Sequence, residues 1–333
     1  MKNENLTELL LQWYRLNGRD LPWRHKGGAH PNPYIVLVSE MMLQQTTVAT
    51  VLNYFPRFIA RFPNIQSLAA ASEDEVYRCW QGLGYYSRAR SLHASAQQIA
   101  FASAGCFPQT PPEVLKLKGV GKYTAASFLA LAYNQPQTVV DGNVIRIMCR
   151  MYRLLEPLEQ LQSIIMQKAE ALTSKENAAD YASAIMDLGA TVCTPKKPRC
   201  DVCPWQKYCL SALSDDVEQI PAKTRQSKRK IKGKVYVLYN AQGQVFVRKR
   251  TEKGLLSGLY EFPWCESGAL FAAATDSRLK VHHIFTHIDM TLEIYVLKTE
   301  QAPADGYFAA LNNLPALSTL MKKVLSQIKD EMK

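Results

Sequence analysis

The stretch PPEVLKLKGVGKYTAASFLALAY (111–133) decides the fold of the N-terminal region, because a glycine turn separates two predicted helices in it. The turn is the run LKGVGK (117–122). Glycine lets the backbone come close to a ligand. The free N–H groups and the positive dipole end of the second helix then attract an anion. The stretch therefore predicts two helices joined by a turn that can bind an anion, although a G-x-G turn alone is often only a tight connection.

The same turn resembles a helix-hairpin-helix, a motif that grips a DNA phosphate without reading bases. Its phosphate-facing positions would be Gly119, Val120, Gly121 and Lys122. The composition agrees, since 40 Lys and Arg residues against 29 Asp and Glu residues give a formal net charge of +11. A strongly basic chain favours a polyanion or an acidic surface as its partner. Charge alone also fits an ordinary basic protein.

The length and hydropathy of the chain place it among globular proteins. With 333 residues it is long enough for two domains, and a hydrophobic content of 47% excludes disorder throughout. No run approaches the apolar length that spans a bilayer. The N-terminus, MKNENLTELLLQW, has no long apolar region or small-residue cleavage site. We therefore expect a cytoplasmic protein that does not contact a membrane. We also expect it to be DNA-associated and monomeric.

The pattern of the sequence changes near residue 213. Residues 1–212 are predicted to be mostly helical, since apolar residues recur at intervals of three and four residues. Residues 213–233 are polar and basic, as in a linker. Residues 234–333 contain a hairpin signal, KVYVLYNAQGQVFVRKR, two further strands in VHHIFTHIDMTLEIYVL, and a helix in ALSTLMKKVLSQIKD. The prediction is a mainly α N-terminal region, a basic linker and a smaller α+β C-terminal domain.

Four of the eight cysteines are crowded into the loop CTPKKPRCDVCPWQKYC (193–209). They are Cys193, Cys200, Cys203 and Cys209, with the spacing C-x6-C-x2-C-x5-C. Disulfides are disfavoured in a cytosolic chain, and soft thiolate ligands suit zinc or an iron–sulfur cluster. The spacing predicts a structural metal loop and leaves the choice between zinc and iron open.

A carboxylate stands at the edge of an apolar stretch in SEMMLQQTTVATV (39–51), which we predict to be one buried helix. Glu40 lies among apolar residues, and Gln44 and Gln45 follow one turn later. A second carboxylate, Asp141, precedes a glycine in TVVDGNVIR. On pattern alone, Glu40 is either a catalytic acid or a glutamate favoured near a helix start by the helix dipole. Asp141 is more simply a turn former.

The order of these elements, a glycine hairpin, then the aspartate, then four cysteines, is more specific than any one of them. Together they resemble the adenine DNA glycosylases of the MutY type, within the endonuclease III-like helix-hairpin-helix superfamily. The resemblance covers nearly the whole chain, and the last two of its matching stretches correspond to the Nudix-like C-terminal domain of that family. The stretches are LPWR (21–24), SEMMLQQTTVATV (39–51), WQGLGYYSRARSLH (80–93), LKGVGKYTAAS (117–127), VVDGNVIRI (139–147), DLGATVC (187–193), the cysteine loop, GLLSGLYEFP (254–263) and FTH (285–287).

The resemblance implies a reaction and a cofactor. The substrate would be adenine mispaired with 8-oxoguanine or guanine in double-stranded DNA, flipped out of the stack, and the four cysteines would hold a 4Fe–4S cluster. Glu40 would be the general acid that protonates adenine N7, with its pKa raised by apolar neighbours. Asp141 would stabilise the cationic sugar, as the second carboxylate of glycosidases does. Asn143 would orient the acid or the sugar, unless it caps the next helix.

Position 123 predicts that the reaction stops at base removal. Lyase members of the superfamily carry a lysine there that forms a Schiff base with the sugar, whereas this chain has Tyr123. Lys122 is one place earlier and points about 100° away on a helix. We therefore expect Lys122 to meet a phosphate and the enzyme to be monofunctional.

Four positions match family residues beside the distorted base pair. Gln45 and Thr46 would fill the hole left by the flipped base, and the alternative is that they are surface residues. Leu83 and Tyr85 would probe beside the oxidised guanine, since an aromatic face can stack on a base. The alternative for this pair is a place in the core or an interface.

Other positions are assigned by the same resemblance. Arg24, Arg88 and Arg90 would contact the pocket or a phosphate, or form ordinary salt bridges. Trp23 and Asp187 would line the adenine pocket. Thr286 stands where the family commonly has serine, so a hydroxyl remains for 8-oxoguanine, but its added methyl can shift that hydroxyl. His287 is expected to be a packed strand residue. The domain also lacks the glutamate-rich signature of nucleotide-hydrolysing Nudix enzymes, which predicts recognition rather than hydrolysis.

Two other functions stay open. An endonuclease III-type enzyme would remove damaged pyrimidines, but Tyr123 and the C-terminal domain argue against it. A zinc-stabilised module could bind lesions without catalysis. The identity of the released base separates the first from an adenine glycosylase, and iron and sulfide in the purified protein would exclude the zinc version.

Overall fold

The structure, a computed structural model, describes residues 3–24, 31–222, 228–252 and 254–328. It confirms the predicted fold class of a mainly helical region followed by a smaller α+β domain. The helices are α1 (Asn3–Asn17), α2 (Pro33–Leu43), α3 (Val48–Arg61), α4 (Ile65–Ala70), α5 (Glu73–Trp80), α6 (Ser87–Gln97), α7 (Pro111–Val114), α8 (Lys122–Tyr133), α9 (Gly142–Met151), α10 (Leu158–Leu172), α11 (Ala178–Thr191) and α12 (Thr319–Ile328). The strands are β1 (Arg229–Tyr239), β2 (Val245–Lys249), β3 (Tyr260–Glu261), β4 (Trp264–Cys265), β5 (Thr275–Ile284), β6 (Ile288–Lys298) and β7 (Gly306–Ala309). Across the described residues, no helix has both the length and the apolar character to cross a membrane.

The predicted single helix over 39–51 is wrong, because the chain turns between two helices there. α2 ends at Leu43, and Gln45 adopts a left-handed backbone conformation with a φ of 57°. Thr47 then caps α3, since its hydroxyl accepts a hydrogen bond from the N–H of Thr50 at 3.3 Å. A threonine at this position favours a helix start, and this local signal outweighs the apolar periodicity on which the prediction rested.

Residues 1–70 and 91–224 form the first of two compact units. In this unit α8 contacts α2 and α11, and α11 also contacts α1 and α9. The core contains the fully buried side chains of Leu10 and Leu172, and burying such a side chain contributes about 1.5–3 kcal/mol. The indole N–H of Trp205 donates to the main-chain carbonyl of Leu6 at 2.8 Å. This bond ties the cysteine loop to α1.

Residues 71–90 and 225–333 form the second unit. Its sheet has the strand order β3–β2–β1–β6–β5, with β4 paired to β1 and β7 paired to β2. The predicted hairpin is confirmed, since β1 and β2 are antiparallel with Tyr239 opposite Val245. The two further predicted strands are β5 and β6, which are antiparallel, and the predicted C-terminal helix is α12, whose buried side chains join the core of the sheet.

The second unit includes α5 and the turn that follows it, which the sequence-based division assigned to the helical region 1–212. Lys249 forms an ion pair with Glu73 at 3.2 Å. The side-chain amide of Gln81 donates to the carbonyl of Leu317 at 3.1 Å. These contacts join the two segments of the unit, which are far apart in sequence.

The predicted linker, residues 213–233, is structured on both sides of its basic run. A 3-10 turn occupies Val217–Gln219, and Ile220 is buried, with its carbonyl bound by the side chain of Arg150 at 3.0 Å. β1 begins at Arg229, inside the predicted limits. Residues 223–227 lie outside the described residues, so the linker stays a prediction for that run.

Candidate functional site

Glu40 lies near the end of α2, in a buried and apolar part of the first unit. The side chain of Asn32 caps this helix and Pro33 occupies its first position, which is where proline is favoured. Glu40 is 5% exposed, and its neighbours Met41 and Met42 are fully buried. The predicted placement of a carboxylate in an apolar environment is therefore found in the structure.

The electrostatic environment of Glu40 keeps a proton on its carboxyl near neutral pH. Burial raises the pKa of Glu40 to about 7, the hydroxyl of Ser127 and the guanidinium of Arg24 oppose this rise, and the carboxylate of Asp141 adds to it. Desolvation of this kind gives a carboxylic acid that can donate a proton under physiological conditions. Because the charge of Asp141 acts on Glu40, the two carboxyl groups share one electrostatic environment.

Tyr123 belongs to the same group of side chains. It lies in the first turn of α8, half-buried, with its hydroxyl 3.5 Å from the sulfur of Met186. Burial raises the pKa of Tyr123, and the negative charges of Glu40 and Asp141 raise it further. The tyrosine hydroxyl therefore stays protonated. Lys122, by contrast, is exposed, as expected for a residue that faces phosphate.

Asp141 is fixed as the N-cap of α9. One of its carboxylate oxygens accepts from the N–H groups of Asn143 and Val144, each at 2.8 Å. The other oxygen accepts from the side-chain amide of Asn143 at 2.9 Å. Asp141 therefore does have the local role considered from sequence, and these hydrogen bonds fix the orientation of both its carboxylate oxygens. Asn143 acts on the aspartate and is not the helix cap.

Arg146 continues this network from Asn143 to the cysteine loop. Its guanidinium donates to the side-chain oxygen of Asn143 at 2.9 Å, to the carbonyl of Gly189 at 2.7 Å and to the carbonyl of Cys193 at 2.8 Å. At Gly189 a Cβ atom would lie 2.5 Å from the Cβ of Asn143, so α9 and α11 approach closely only because this residue is glycine. Sequence reasoning missed Arg146, although its i+3 spacing from Asn143 on a helix could have indicated it.

Asp187 and Trp23, which the resemblance assigned to the adenine pocket, are both buried and make packing or ion-pair contacts within the first unit. Asp187 is fully buried and binds the side chains of Arg19 and Arg24, each at 2.7 Å. Burial alone would raise the pKa of Asp187, but the two arginines outweigh it and the pKa is lowered. Trp23 is 3% exposed and packs edge-on against Phe55 at 5.1 Å. Asp187 therefore anchors Arg24, and a salt bridge is the contact observed for Arg24. No sequence pattern marked Arg19.

The glycine hairpin has the predicted geometry. α7 ends at Val114 and α8 begins at Lys122. Gly119 has a φ of 73°, which glycine adopts readily, and Val120 is buried. Gly121 is exposed, and a Cβ added to it would have no atom within 4 Å. The backbone at the start of α8 is thus open to an anion.

The two glutamines after α2 have different environments. The side-chain amide of Gln44 donates to the carbonyl of Gly119 at 3.3 Å and to the hydroxyl of Thr124 at 3.1 Å, so it ties α2 to the hairpin. Gln45 is exposed in its left-handed conformation, and Thr46 next to it is half-buried. Their predicted place beside a flipped base stays a prediction.

The four cysteines of the loop line one small pocket of about 30 Å³. Within the described part of the chain, no three His, Cys, Asp or Glu side chains are arranged to hold a single metal ion. Four thiols that line one pocket are the soft ligand set that an iron–sulfur cluster requires. Arg150, 1% exposed, lies 3.5 Å from the sulfur of Cys193 and binds the carbonyls of Thr194 and Pro195, which holds the start of the loop.

In the second unit, Tyr85 and Thr286 line one cleft of about 400 Å³. Its other walls come from residues 254–259, the turn between β5 and β6, and the start of α12. Leu83 is 6% exposed, which fits the core alternative, and its probing role stays a prediction. His287 is exposed in the β5–β6 turn, so the expectation of a packed strand residue is wrong.

Comparisons with known families match three parts of the chain. Residues 38–174 match the family described as HhH-GPD superfamily base excision DNA repair protein. Residues 193–209 match the iron–sulfur binding domain of endonuclease III. Residues 234–327 match the NUDIX domain.

Full-length relatives and solved structures agree with these matches. Adenine DNA glycosylase of Mus musculus is 35% identical, with 96% of this chain and 77% of that protein covered. The enzyme of the same name from Buchnera aphidicola subsp. Acyrthosiphon pisum is 32% identical over 84% of this chain and 83% of its own. A thermostable thymine-DNA glycosylase is 27% identical with a TM-score of 0.56, over 63% of this chain and 96% of that one. A complex of endonuclease III with DNA, 20% identical with a TM-score of 0.50, shares the fold over 64% of this chain and 97% of that one.

Proposed function

The chain belongs to the adenine DNA glycosylase family, and on that premise we propose that it removes adenine mispaired with 8-oxoguanine or guanine in duplex DNA. The observation that carries the proposal is the buried Glu40, with a pKa of about 7, in the same electrostatic environment as Asp141. A base-excision glycosylase needs one group that donates a proton and one that stays negative, as in other glycosidic cleavages.

Glu40 is the general acid in this proposal. Adenine is a poor leaving group unless a ring nitrogen is protonated, and N7 is the nitrogen assigned to receive the proton. An acid with a pKa near the working pH is the most effective donor, because it is both protonated and ready to release its proton. The apolar surroundings on α2 supply that pKa, and the charge of Asp141 increases it.

Asp141 stabilises the positive charge that develops on the sugar as the C–N bond breaks. The three N–H donors on its two oxygens fix the carboxylate before substrate arrives. A fixed charge needs no reorganisation during the reaction, which is the main source of electrostatic catalysis. Asn143 orients Asp141, and Arg146 in turn holds Asn143. In this arrangement Asn143 is a positioning residue.

Tyr123 limits the reaction to base removal. The phenol cannot form the Schiff base that a lysine would form with the opened sugar, and its raised pKa keeps it protonated. The only lysine beside it in sequence, Lys122, is exposed at the start of α8. We propose that Lys122 and the amides of Gly119–Gly121 bind a backbone phosphate at the helix N-terminus.

The second unit recognises the base opposite adenine. Tyr85 is exposed enough to stack on a base, and Thr286 offers a hydroxyl from the same cleft. Gln45 and Thr46 would occupy the space that the flipped adenine leaves. The preference for 8-oxoguanine over guanine rests on these side chains.

We propose that Cys193, Cys200, Cys203 and Cys209 hold the 4Fe–4S cluster of the matched iron–sulfur domain. When bound, the cluster supplies thiolate–iron bonds that fix the loop between Cys193 and Cys209. Two hydrogen bonds hold the same loop. The side chain of Arg150 binds the carbonyl of Thr194, and the indole of Trp205 binds the carbonyl of Leu6. The loop then presents to DNA its exposed basic side chains, which are Lys196, Lys197, Arg199 and Lys207.

The deciding experiment is a single-turnover glycosylase assay on duplexes with adenine opposite 8-oxoguanine or guanine, and on a duplex with an oxidised pyrimidine. Adenine release followed by strand breakage only after alkali is the expected result. Release of the pyrimidine instead would mean an endonuclease III-type enzyme, and strand breakage without alkali would contradict the role given to Tyr123. Iron and sulfide analysis of the same sample tests the cluster.

A further inference from the structure

The turn that presents Tyr85 has an unusual backbone. Gly82, Gly84 and Tyr85 have φ angles of 109°, 73° and 47°. Two of them are glycines, for which such angles are readily accessible, but a tyrosine in the left-handed region costs about 1–2 kcal/mol. Its side chain is 44% exposed at the cleft that also contains Thr286. Some contact must hold Tyr85 in this conformation.

Arg88 provides contacts of this kind from the next turn of the chain. Its guanidinium donates to the carbonyls of Leu83 at 3.2 Å and Gly84 at 3.1 Å. The same group lies 5.5 Å from the ring centroids of both Trp80 and Tyr85. The indole N–H of Trp80 also donates to the carbonyl of Gly84 at 3.2 Å. Arg88 thus fixes the turn at its carbonyls and stacks near the ring that the turn presents.

The position of Arg88 is not that of a residue that itself binds DNA. It is 6% exposed, and the contacts described for it are with carbonyls and aromatic rings of its own unit. Burial lowers the pKa of Arg88 to about 10, so it remains cationic at neutral pH. The sequence-based expectation that Arg88 touches the pocket or a phosphate therefore does not fit its burial.

We propose that Arg88 is a positioning residue which holds Tyr85 in its exposed conformation and thereby determines how well the enzyme distinguishes 8-oxoguanine from guanine opposite adenine. This inference rests on the proposed function. A lysine at position 88 keeps the charge, but its ammonium is a compact point charge and lacks the planar guanidinium face that lies near both rings. The chemistry of adenine excision, carried by residues of the first unit, does not involve Arg88.

The test is a double-mutant cycle of Arg88→Lys and Tyr85→Ala, read by the ratio of adenine excision opposite 8-oxoguanine to that opposite guanine. We expect Arg88→Lys to lower this ratio about tenfold, a part of what losing a base–aromatic stack would give. In the Tyr85→Ala background, Arg88→Lys should change the ratio no further, because residues that act through one another are not additive. A structural role alone would lower stability and leave the ratio unchanged. Independent, multiplying effects of the two changes would overturn the inference.

A second variant and a binding measurement keep the test decisive. Gly84→Ala places a Cβ where no atom lies within 4 Å, so it strains only the backbone of the turn, and it should lower the ratio as Arg88→Lys does. Arg57→Lys, an exposed arginine 5.0 Å from the ring of Tyr54, is the matched control and should leave the ratio unchanged. If the wild type releases no adenine, the proposed function fails. The same cycle, read as binding of the two duplexes by Glu40→Gln proteins, then decides the role of Arg88.

Discussion

The site around Glu40 in the first unit and the cleft around Tyr85 in the second are built in opposite ways. Glu40 is buried, and both oxygens of Asp141 are fixed by N–H donors. Tyr85 and Thr286 are exposed, and backbone turns present them. Bond cleavage needs a dry site with preset charges, because electrostatic interactions are stronger there. Reading a base needs side chains that meet DNA on an accessible surface. The comparison predicts that changes in the first region reduce rate and changes in the second reduce selectivity.

The largest effect is expected from Glu40→Gln, which removes the proposed proton donor and keeps the size of the side chain. Adenine excision under single-turnover conditions should fall by about 10²–10⁴-fold, the usual contribution of general acid catalysis, while duplex binding is retained. Glu170→Gln, at an exposed position of α10, is the control. An active Glu40→Gln protein would remove the acid role from this residue.

The pH dependence of the same variant sharpens the comparison. The wild-type rate should fall as pH rises above about 7, because the carboxyl loses its proton there. The folded-state pKa lies above the ordinary value of 4.5, so the wild type loses stability as pH rises from about 4.5 through 7, by roughly 3 kcal/mol. Glutamine does not ionise. Glu40→Gln should therefore melt above the wild type at pH 8.5 and show no such gain at pH 4.5.

The next effect is expected from Asp141→Asn, which tests the anion separately from the helix cap. Asparagine caps helices as well as aspartate does, so the melting temperature should stay within a few degrees of the wild type. Excision should fall by about 10²–10³-fold, since a fixed charge near the developing cation is lost. Asp215→Asn, an exposed substitution, controls for the change in net charge. Unaltered excision in Asp141→Asn would contradict the proposed role.

A smaller effect is expected from Asn143→Ala, which leaves both carboxyl groups but removes the amide between Asp141 and Arg146. Positioning residues of this kind typically contribute about 10–100-fold. The rate should fall by that factor at every pH, and the pH profile should keep its shape because Glu40 is unchanged. A profile displaced by a full pH unit would show that Asn143 acts on the acid instead.

The smallest effect is expected from Thr286→Ala in the second unit. One hydrogen bond contributes about 0.5–1.5 kcal/mol, so preference for 8-oxoguanine over guanine should fall by roughly twofold to tenfold, with excision opposite guanine unchanged. Thr286→Ser should keep the preference, and Thr275→Ala, exposed on β5, should behave as the wild type. Equal loss opposite both bases would break the division between a region for rate and a region for selectivity.

Sequence indicated the elements that depend on local chemistry. The glycine hairpin, the β1–β2 hairpin and α12 are each set by residues close in the chain, and the structure has all three. The helix over 39–51 was predicted wrongly, because a single left-handed residue, Gln45, breaks an apolar pattern that otherwise continues. The partners of Asp187 lie more than 160 residues away, and such contacts leave no periodic signal. Residues 71–90 likewise join the second unit through contacts with distant strands.

Gly189 gives the close approach of α9 and α11 a genetic consequence. It bears no reacting group, yet one added methyl at this position would meet Asn143 at 2.5 Å. A displaced Asn143 would also shift Asp141, which its side-chain amide binds. A substitution here would therefore inactivate the enzyme like a change among the reacting groups, and a random mutational screen would recover it from a helix with no visible chemistry.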